Sequence, residues 1–445
     1  MPTSQPATET AKGEPSKPFF IEMITRDITL ADCIMDLLDN CLDGINNWSK
    51  RKERSLPKHQ RYKKFCVSIE YSAEHFKIKD NCGGIPIDVA KKYAFRFGRP
   101  DEAPEDTAHL LGLYGIGMKR AMFKMGKTIH ILSSTGSESF ELNLDVEAWR
   151  TKTLWDFMLT NVAHDRALVK MGTTLQVNDL HEPIGVDFAK PNFTNALRRS
   201  IARVYAYILQ QGLKVSVNGE EVKSKMPTLK EGGEFVPFKV KQKIDGVDTE
   251  IVAGLSSSPP EDDSADKNYP EAEIYGWYVV CNDRVVITAD KTSVTVWGRD
   301  QLPAWHNQYY GFVGVVRFDA DNPRLLPWKT TKSGVETENP VYQKSLAIMK
   351  DVTQRYIEYT NRRKPEIGQA KKLEMAARDR PITQVKGDLA LRLPRIPGKP
   401  MLRICYDKPV KEIEGVAKAL RMKRVSAKEV GIRTFDYFRD REVEK

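Results

Sequence analysis

One helix-forming segment near the N-terminus gathers acidic and amide side chains on a single face. From Thr29 the sequence TLADCIMDLLDNCLDGINNW repeats apolar residues with the helical period, which predicts a helix whose apolar stripe faces a core. A second stripe of that helix carries Asp32, Asp36, Asn40 and Asp43. Such oxygens can bind a hard cation or accept a proton. Taken alone, the helix is better explained as a solvated acidic face.

Two glycine clusters follow this helix along the chain. DNCGGI begins at Asp80, directly after a predicted strand, and GLYGIGMKRAMFKMG contains Gly112, Gly115 and Gly117 where a helix begins. Each cluster alone is a weak signal, since a tight turn uses the same residues. Neither is the Rossmann or the P-loop string. Their order is more specific: an acidic helix, a strand ending in D-N-x-G-G, a glycine-rich loop opening a helix, and then G-T before a strand.

This four-part arrangement resembles the GHKL ATPase superfamily, which includes gyrase B, Hsp90, MutL and histidine kinases. It looks most similar to MORC-like and MutL-like members that carry a following S5-type domain, and the resemblance covers roughly residues 19 to 360. The resemblance implies an α+β protein: a Bergerat-type ATP-binding α/β sandwich, then an S5-like α/β transducer domain and a basic C-terminal segment. The implied ligands are ATP and Mg²⁺.

The motif DLLDNCLDG resembles the family helix that carries the metal ligand and the base. The resemblance places Asn40 on the Mg²⁺ that bridges the nucleotide phosphates, and Asp36 where the family has the glutamate that activates water. The shorter aspartate moves the carboxylate back by about 1.5 Å, and general-base catalysis is sensitive to such a displacement. We therefore expect ATP hydrolysis that is slow, with Asp39 as the alternative base.

The second motif matches the family at Asp80 and Gly84. In the family this aspartate accepts a hydrogen bond from the adenine amino group, and the glycine lets the backbone approach the base. Cys82 stands where the family has its usual first glycine. Thr173, in GTT, matches the threonine that assists the aspartate through a water.

The third motif resembles the family's phosphate-binding loop. Its glycines Gly112, Gly115 and Gly117 allow backbone N–H groups at a helix N-terminus to face phosphates. Lys119 is a candidate for an additional charge beside the phosphates, and a solvated lysine is the alternative. In the second domain, TTK ending at Lys332 is similar to the S5-type loop that sends a lysine to the γ-phosphate, with an exposed turn as the alternative.

Composition limits the setting in which this chemistry takes place. The 445 residues contain no apolar run near the roughly 20 residues that cross a bilayer. The six cysteines form no C-x-x-C pair, which disfavours a zinc site or a disulfide framework and favours a reducing cytoplasm, with a nucleoid association as a variant. The net charge of +10 is uneven: residues 361–445 carry 23 basic and 12 acidic side chains, whereas the rest of the chain has a net charge of −1.

These features predict four regions: a disordered lead at 1–18, an ATP-binding domain at 19–225, a transducer domain at 226–360 and a basic region at 361–445. The basic region is expected to bind nucleic acid, since Lys and Arg neutralise phosphates without regard to sequence. By resemblance, ATP binding would gate formation of a homodimer, and phage defence or chromosome maintenance are compatible roles.

Two other function classes stay open. A module that senses ATP without turnover, or an Hsp90-like chaperone, is compatible with aspartate at position 36. A histidine kinase is disfavoured because none of the seven histidines lies at the start of a dimerising helix ahead of the ATP-binding motifs.

Overall fold

The structure is a computed structural model in which two compact parts are distinguished. It describes residues 13, 15–52, 62–98, 111, 115–164, 170–260, 272–329, 331–396, 404–422 and 426–443. The first unit comprises residues 1–396 and the second comprises residues 397–445. Of the predicted N-terminal lead, residues 1–12 and 14 lie outside the described residues, and Lys17 already begins a helix.

An eight-stranded mixed sheet forms the first half of the first unit. Its strand order is β5-β4-β3-β6-β2-β1-β7-β8, and the pairing of β1 with β7 is parallel. The strands are β1 (Cys66–Tyr71), β2 (His75–Asp80), β3 (Gly126–Ser134), β4 (Ser139–Asp145), β5 (Leu159–Ala163), β6 (Gly172–Leu180), β7 (Lys214–Val217) and β8 (Glu220–Glu221). The alternating segments CVSIEY and HFKIKD predict a hairpin, and β1 and β2 form it over those residues. The alternation fixes which side chains face the core.

Eight helices accompany this sheet in the described part of the chain. They are α1 (Lys17–Arg26), α2 (Leu30–Lys52), α3 (Ile87–Val89), α4 (Gly117–Met125), α5 (Val146–Thr151), α6 (Glu182–Ala189), α7 (Pro191–Val204) and α8 (Ala206–Gln210). The predicted acidic helix is α2. Its apolar stripe, which includes Ile34, Leu37, Cys41 and Ile45, is buried as expected. This burial fixes the rotation of α2 and therefore the direction of its acidic face.

A second sheet forms the other half of the first unit. Its order is β10-β11-β14-β12-β13, with β12 and β14 parallel, and a separate ladder pairs β9 with β15. The strands are β9 (Thr228–Glu231), β10 (Phe238–Ile244), β11 (Val247–Leu255), β12 (Gly276–Cys281), β13 (Arg284–Asp290), β14 (Phe312–Asp319) and β15 (Arg378–Pro381). Helices α9 (Pro340–Arg363) and α10 (Ile367–Ala376) belong to the same half, and α9 buries one apolar side from Val341 to Ile357.

The first unit extends further than the sequence-based boundary near residue 360. Arg363 at the end of α9 forms a buried ion pair with Glu374 of α10, and β15 pairs with β9. Residues 361–396 therefore pack with the second sheet, and they carry 10 of the 23 basic side chains that the prediction assigns to the basic region. The boundary near residue 225 stays a prediction.

The second unit contains two helices, α11 (Val410–Ala419) and α12 (Ala427–Phe438). The side chain of Ser426 caps α12 by accepting a hydrogen bond from the backbone N–H of Glu429. The apolar residues of KPMLRICYDKP predict a strand, but residues 404–409 form none, and the rest of that segment lies outside the described residues. No helix among the described residues is long and apolar enough to span a membrane.

Gly314 of β14 provides a test of packing in the second sheet. A Cβ atom at this position would lie 2.4 Å from the indole ring of Trp277, which is fully buried. We expect Gly314→Ala to lower the free energy of unfolding by about 1–3 kcal/mol, because the tryptophan must move within a filled core. Urea denaturation measures this change. Gly368→Ala on α10, where a Cβ atom meets nothing within 4 Å, is the control and should not lower stability.

Candidate functional site

The most buried charge of helix α2 is the carboxylate of Asp39, which is 1% exposed. One oxygen accepts hydrogen bonds from the Tyr205 hydroxyl at 2.7 Å and from Nη1 of Arg284. The other accepts a hydrogen bond from Nζ of Lys332 at 2.7 Å. Arg284 begins β13, and Lys332 lies in the loop between β14 and α9. Two cations from the second half of the unit therefore meet on one acid of α2.

Asp36 lies one turn before Asp39 on the same helix. Its Oδ2 accepts a hydrogen bond from Nε of Arg120 at 2.7 Å, and Arg120 Nη2 contacts the same oxygen at 2.5 Å. Its Oδ1 lies 3.9 Å from Nζ of Lys332. A Cβ atom at Gly117 would lie 3.3 Å from the Asp36 side chain, so the first residue of α4 packs directly on this carboxylate.

The two acids differ in their pKa. Burial raises the pKa of Asp36, and the nearby charges of Lys332 and Arg120 offset this only in part. Burial also acts to raise the pKa of Asp39, but attraction to Arg284 and Lys332 outweighs it, and the pKa of Asp39 is lowered. Asp39 is thus held as a carboxylate, and Asp36 is the acid that accepts a proton more readily.

Asn40 lies next to this pair and has a different environment. Its side chain is exposed, and none of the hydrogen bonds among the described residues uses its amide. Within the described ranges no group of three or more His, Cys, Asp or Glu side chains could hold a metal ion. A cation at Asn40 would therefore take most of its oxygen ligands from a bound anion and from water.

A second polar position forms where β2 ends. Oδ1 of Asp80 accepts backbone hydrogen bonds from Cys82 at 2.6 Å and from Thr173 at 3.3 Å. Oδ2 lies 3.5 Å from the Cys41 thiol, which is a weak donor. Burial raises the pKa of Asp80, and the backbone hydrogen bond from Cys82 opposes this shift. The Thr173 hydroxyl lies 3.0 Å from the hydroxyl of Ser133.

Glycine is required at two places around Asp80. Gly84 has φ +67°, and a Cβ atom there would lie 1.9 Å from the carbonyl oxygen of Ser134. Gly172, which precedes Thr173, has φ +141°, and its Cβ would lie 2.0 Å from the carbonyl oxygen of Asp80. No side chain fits at either position, so the backbone of three segments can close around the end of β2.

The glycine-rich loop is described only in part. Gly112 lies outside the described residues, Gly115 has φ +62°, and Gly117 is the first residue of α4. The side chain of Lys119 is buried, so it fits neither the expected charge beside phosphates nor the alternative of a solvated lysine. It is 2% exposed, its Nζ donates to the carbonyl of Ala94 at 2.8 Å, and burial lowers its pKa to about 8.

Three residues of this site were not predicted from the sequence. Arg120 lies within the third motif, directly after Lys119, and its charge next to the glycine-rich loop was the available signal. Tyr205 and Arg284 carry no local signal, because each reaches Asp39 only through the packing of distant segments.

The opposite environments of Asp36 and Asp39 predict different effects on stability at neutral pH. We expect Asp39→Asn to lower the free energy of unfolding by about 3–5 kcal/mol, because it leaves the buried charge of Arg284 without its acid. Asp36→Asn should cost far less, because its raised pKa means that the folded state disfavours the charged form. Urea denaturation of both variants at pH 7 measures the difference. Equal losses would contradict this description of the site.

Comparison with known proteins bears on residues 28–171. They match the family described as histidine kinase-, DNA gyrase B-, and HSP90-like ATPase. The matched range includes Asp36, Asn40 and Asp80 but ends before Thr173, and no curated protein matches the chain. The chain therefore contains a GHKL-type ATPase domain at residues 28–171.

Proposed function

We propose that the protein is a Mg²⁺-dependent ATPase in which the second half of the first unit, an S5-like transducer, takes part in hydrolysis. The observation that carries this proposal is the position of Lys332. It comes from a loop beyond the second sheet, and its ammonium lies 3.9 Å from Asp36 and 2.7 Å from Asp39. A lysine held at the acidic face of the ATPase helix is suited to contact the terminal phosphate of a nucleotide.

Adenine is assigned to the polar position at Asp80, where β2 ends. Oδ1 accepts hydrogen bonds from two backbone N–H groups, whereas Oδ2 lies 3.5 Å from the Cys41 thiol, a weak donor. That oxygen can accept a hydrogen bond from the amino group of adenine. Guanine presents a carbonyl oxygen at the corresponding position, and two acceptors would repel. Gly84 and Gly172 allow the backbone to approach the base closely, and Thr173 lies beside the same carboxylate.

Mg²⁺ is assigned to the middle of α2, at Asn40, and the phosphates to the N-terminus of α4. The exposed amide of Asn40 supplies a neutral oxygen ligand, which suits a cation that takes its other ligands from phosphates and water. The residues present therefore fit the metal as the family uses it. The N-terminus of α4, with Gly115 and Gly117, offers backbone N–H groups and the positive end of the helix dipole. When bound, Mg²⁺ would neutralise charge on the phosphates.

Asp36 is assigned as the general base. Its raised pKa favours proton uptake from an attacking water, whereas Asp39 has no oxygen without a strong donor. In the present structure Arg120 occupies one oxygen of Asp36. Hydrolysis requires this oxygen or its neighbour to face water, and the side chain is one methylene shorter than glutamate. Both features predict slow turnover.

The same two features support an alternative, a module that senses ATP without hydrolysing it. If Arg120 stays on Asp36 after nucleotide binds, the chain would use ATP only to change conformation. An Hsp90-like action on protein clients belongs to this alternative. A measurement of ATP turnover separates this alternative from the leading proposal.

Nucleic acid is the client that we propose, with ATP-gated formation of a homodimer as the coupling. Residues 397–445 carry 13 basic and 8 acidic side chains, and 361–396 carry 10 basic and 4 acidic ones. The excess of positive charge in residues 361–445 is thus divided between the two units. Arg421, which follows α11, is exposed, as are Lys428 and Arg433 of α12, and these side chains can contact phosphates.

Hydrolysis is tested by Asp36→Asn. We expect kcat for ATP to fall about 100-fold or more, because a positioned general base contributes about 10²–10⁴-fold, while the affinity for ATP stays within about twofold. Phosphate release and equilibrium binding of a non-hydrolysable ATP analogue measure the two effects. Asp32→Asn, one turn earlier on α2 and exposed, is the control and should leave both unchanged. Unchanged turnover in Asp36→Asn would contradict its role as base.

Nucleic-acid binding is tested by removing residues 397–445, which form a unit of their own. We expect the truncated chain to keep ATP binding and to retain less duplex DNA at 50 mM salt than the full chain does, because it loses a net charge of +5. Retention by the full chain should itself fall about 10-fold or more between 50 and 200 mM salt. Equal retention before and after truncation would contradict this placement.

A further inference from the structure

Arg284 reaches the ATPase helix from the second sheet through a tightly defined turn. Asn282 and Asp283, both with positive φ, connect β12 to β13, and Arg284 is the first residue of β13. The Asn282 side chain exchanges hydrogen bonds with the backbone of Ala320, directly after β14. The same β14 leads into the loop that carries Lys332. The two cations on Asp39 are therefore fixed to one corner of the second sheet.

Arg284 forms a buried ion pair and also contacts a hydroxyl group. Its side chain is 8% exposed, and Nη1 donates to Asp39 and, at 2.9 Å, to the Tyr205 hydroxyl. Nε is buried and has no hydrogen-bond partner among the described residues. A buried arginine with an unused donor is costly, so the charge itself is what this position retains.

The charges at the acid pair are not balanced. Arg120, Arg284 and Lys332 supply three positive charges, and Asp36 and Asp39 supply two negative ones. The excess favours an added anion such as a terminal phosphate. If Lys332 moved to that phosphate, Asp39 would be left buried and charged unless another cation stayed on it. Arg284 is the cation that stays.

We propose that Arg284 is a positioning residue for the response to ATP: it keeps Asp39 paired, so that Lys332 is free to move from Asp39 to the γ-phosphate. Without Arg284, Lys332 becomes the sole strong counter-charge of a buried carboxylate and is held there. The inference rests on the proposed function, because it requires that ATP binds next to α2. It concerns the preference for ATP over ADP, which is measured without turnover.

The test compares equilibrium affinities for a non-hydrolysable ATP analogue and for ADP in the full chain. We expect Arg284→Met to lower the ratio of ATP-analogue to ADP affinity about tenfold, the equivalent of one charge-assisted hydrogen bond, with ADP affinity unchanged. Lys332→Ala should lower the ratio similarly, and the double variant should not fall below Lys332→Ala alone. Arg284→Lys, which keeps the charge, should recover much of the loss.

Two further variants separate positioning from damage to the fold. Arg363→Met removes a different buried arginine, paired with Glu374 and remote from α2, and should leave the ratio unchanged. Asp39→Asn in the Arg284→Met background removes the carboxylate that would hold Lys332 and should restore the ratio toward that of the wild type.

If Arg284→Met binds both nucleotides as the wild type does, or the double variant with Lys332→Ala shows additive losses, the inference is wrong. A wild type that binds ADP but shows no preference for ATP also overturns it. A wild type that binds neither nucleotide overturns the proposed function, and this inference with it.

Discussion

A single buried carboxylate, that of Asp39, joins the two halves of the first unit. Removing a charge from water costs several kcal/mol unless partners replace the lost hydration, and here Tyr205, Arg284 and Lys332 do so from three separate segments. The ATPase helix and the second sheet must therefore be positioned together for this charge to be tolerated. Asp36 lies one turn away on α2, so the same arrangement determines which charges surround it.

The same constraint assigns different chemistry to neighbouring acids. Asp39 is saturated with donors and stays ionised, whereas Asp36 is partly desolvated and its pKa is raised. Lys332 contacts the first acid and lies near the second, so any anion that attracts it changes the field at both. The packing between the two halves of the first unit and the electrostatics of the acid pair therefore depend on the same cluster of side chains.

The sequence predicted those features that depend on local pattern. The period of α2 and the β1–β2 hairpin follow from residue spacing, and the structure contains both elements. The glycines at 84 and 117 were selected by resemblance; no side chain fits at Gly84, and Gly117 begins α4. The ATPase domain at residues 28–171 follows from the same motifs. Lys332 was selected by resemblance alone, and the structure brings it to the acidic face of α2.

Features that depend on long-range packing were not predictable in this way. Arg284 contacts Asp39 across most of the first unit, and nothing near it in the sequence distinguishes it from other strand arginines. Lys119 was a candidate phosphate ligand because it is a charged residue next to a glycine-rich loop. Its position on α4 instead directs the side chain into the core, where it donates to a backbone carbonyl. The pairing of β15 with β9 joins residues 378–381 to the second half of the first unit, and charge counts along the sequence do not show such a contact.

We propose that ATP is hydrolysed at the acid pair on α2, Asp36 and Asp39, together with the cations Arg284 and Lys332. The most direct measurement is phosphate release by the purified full chain at saturating ATP, with Mg²⁺ and with the metal chelated, each in the presence and absence of duplex DNA. The account predicts slow release that requires Mg²⁺ and rises when DNA is added. Tight binding of ATP with no phosphate release under any of these conditions would contradict it.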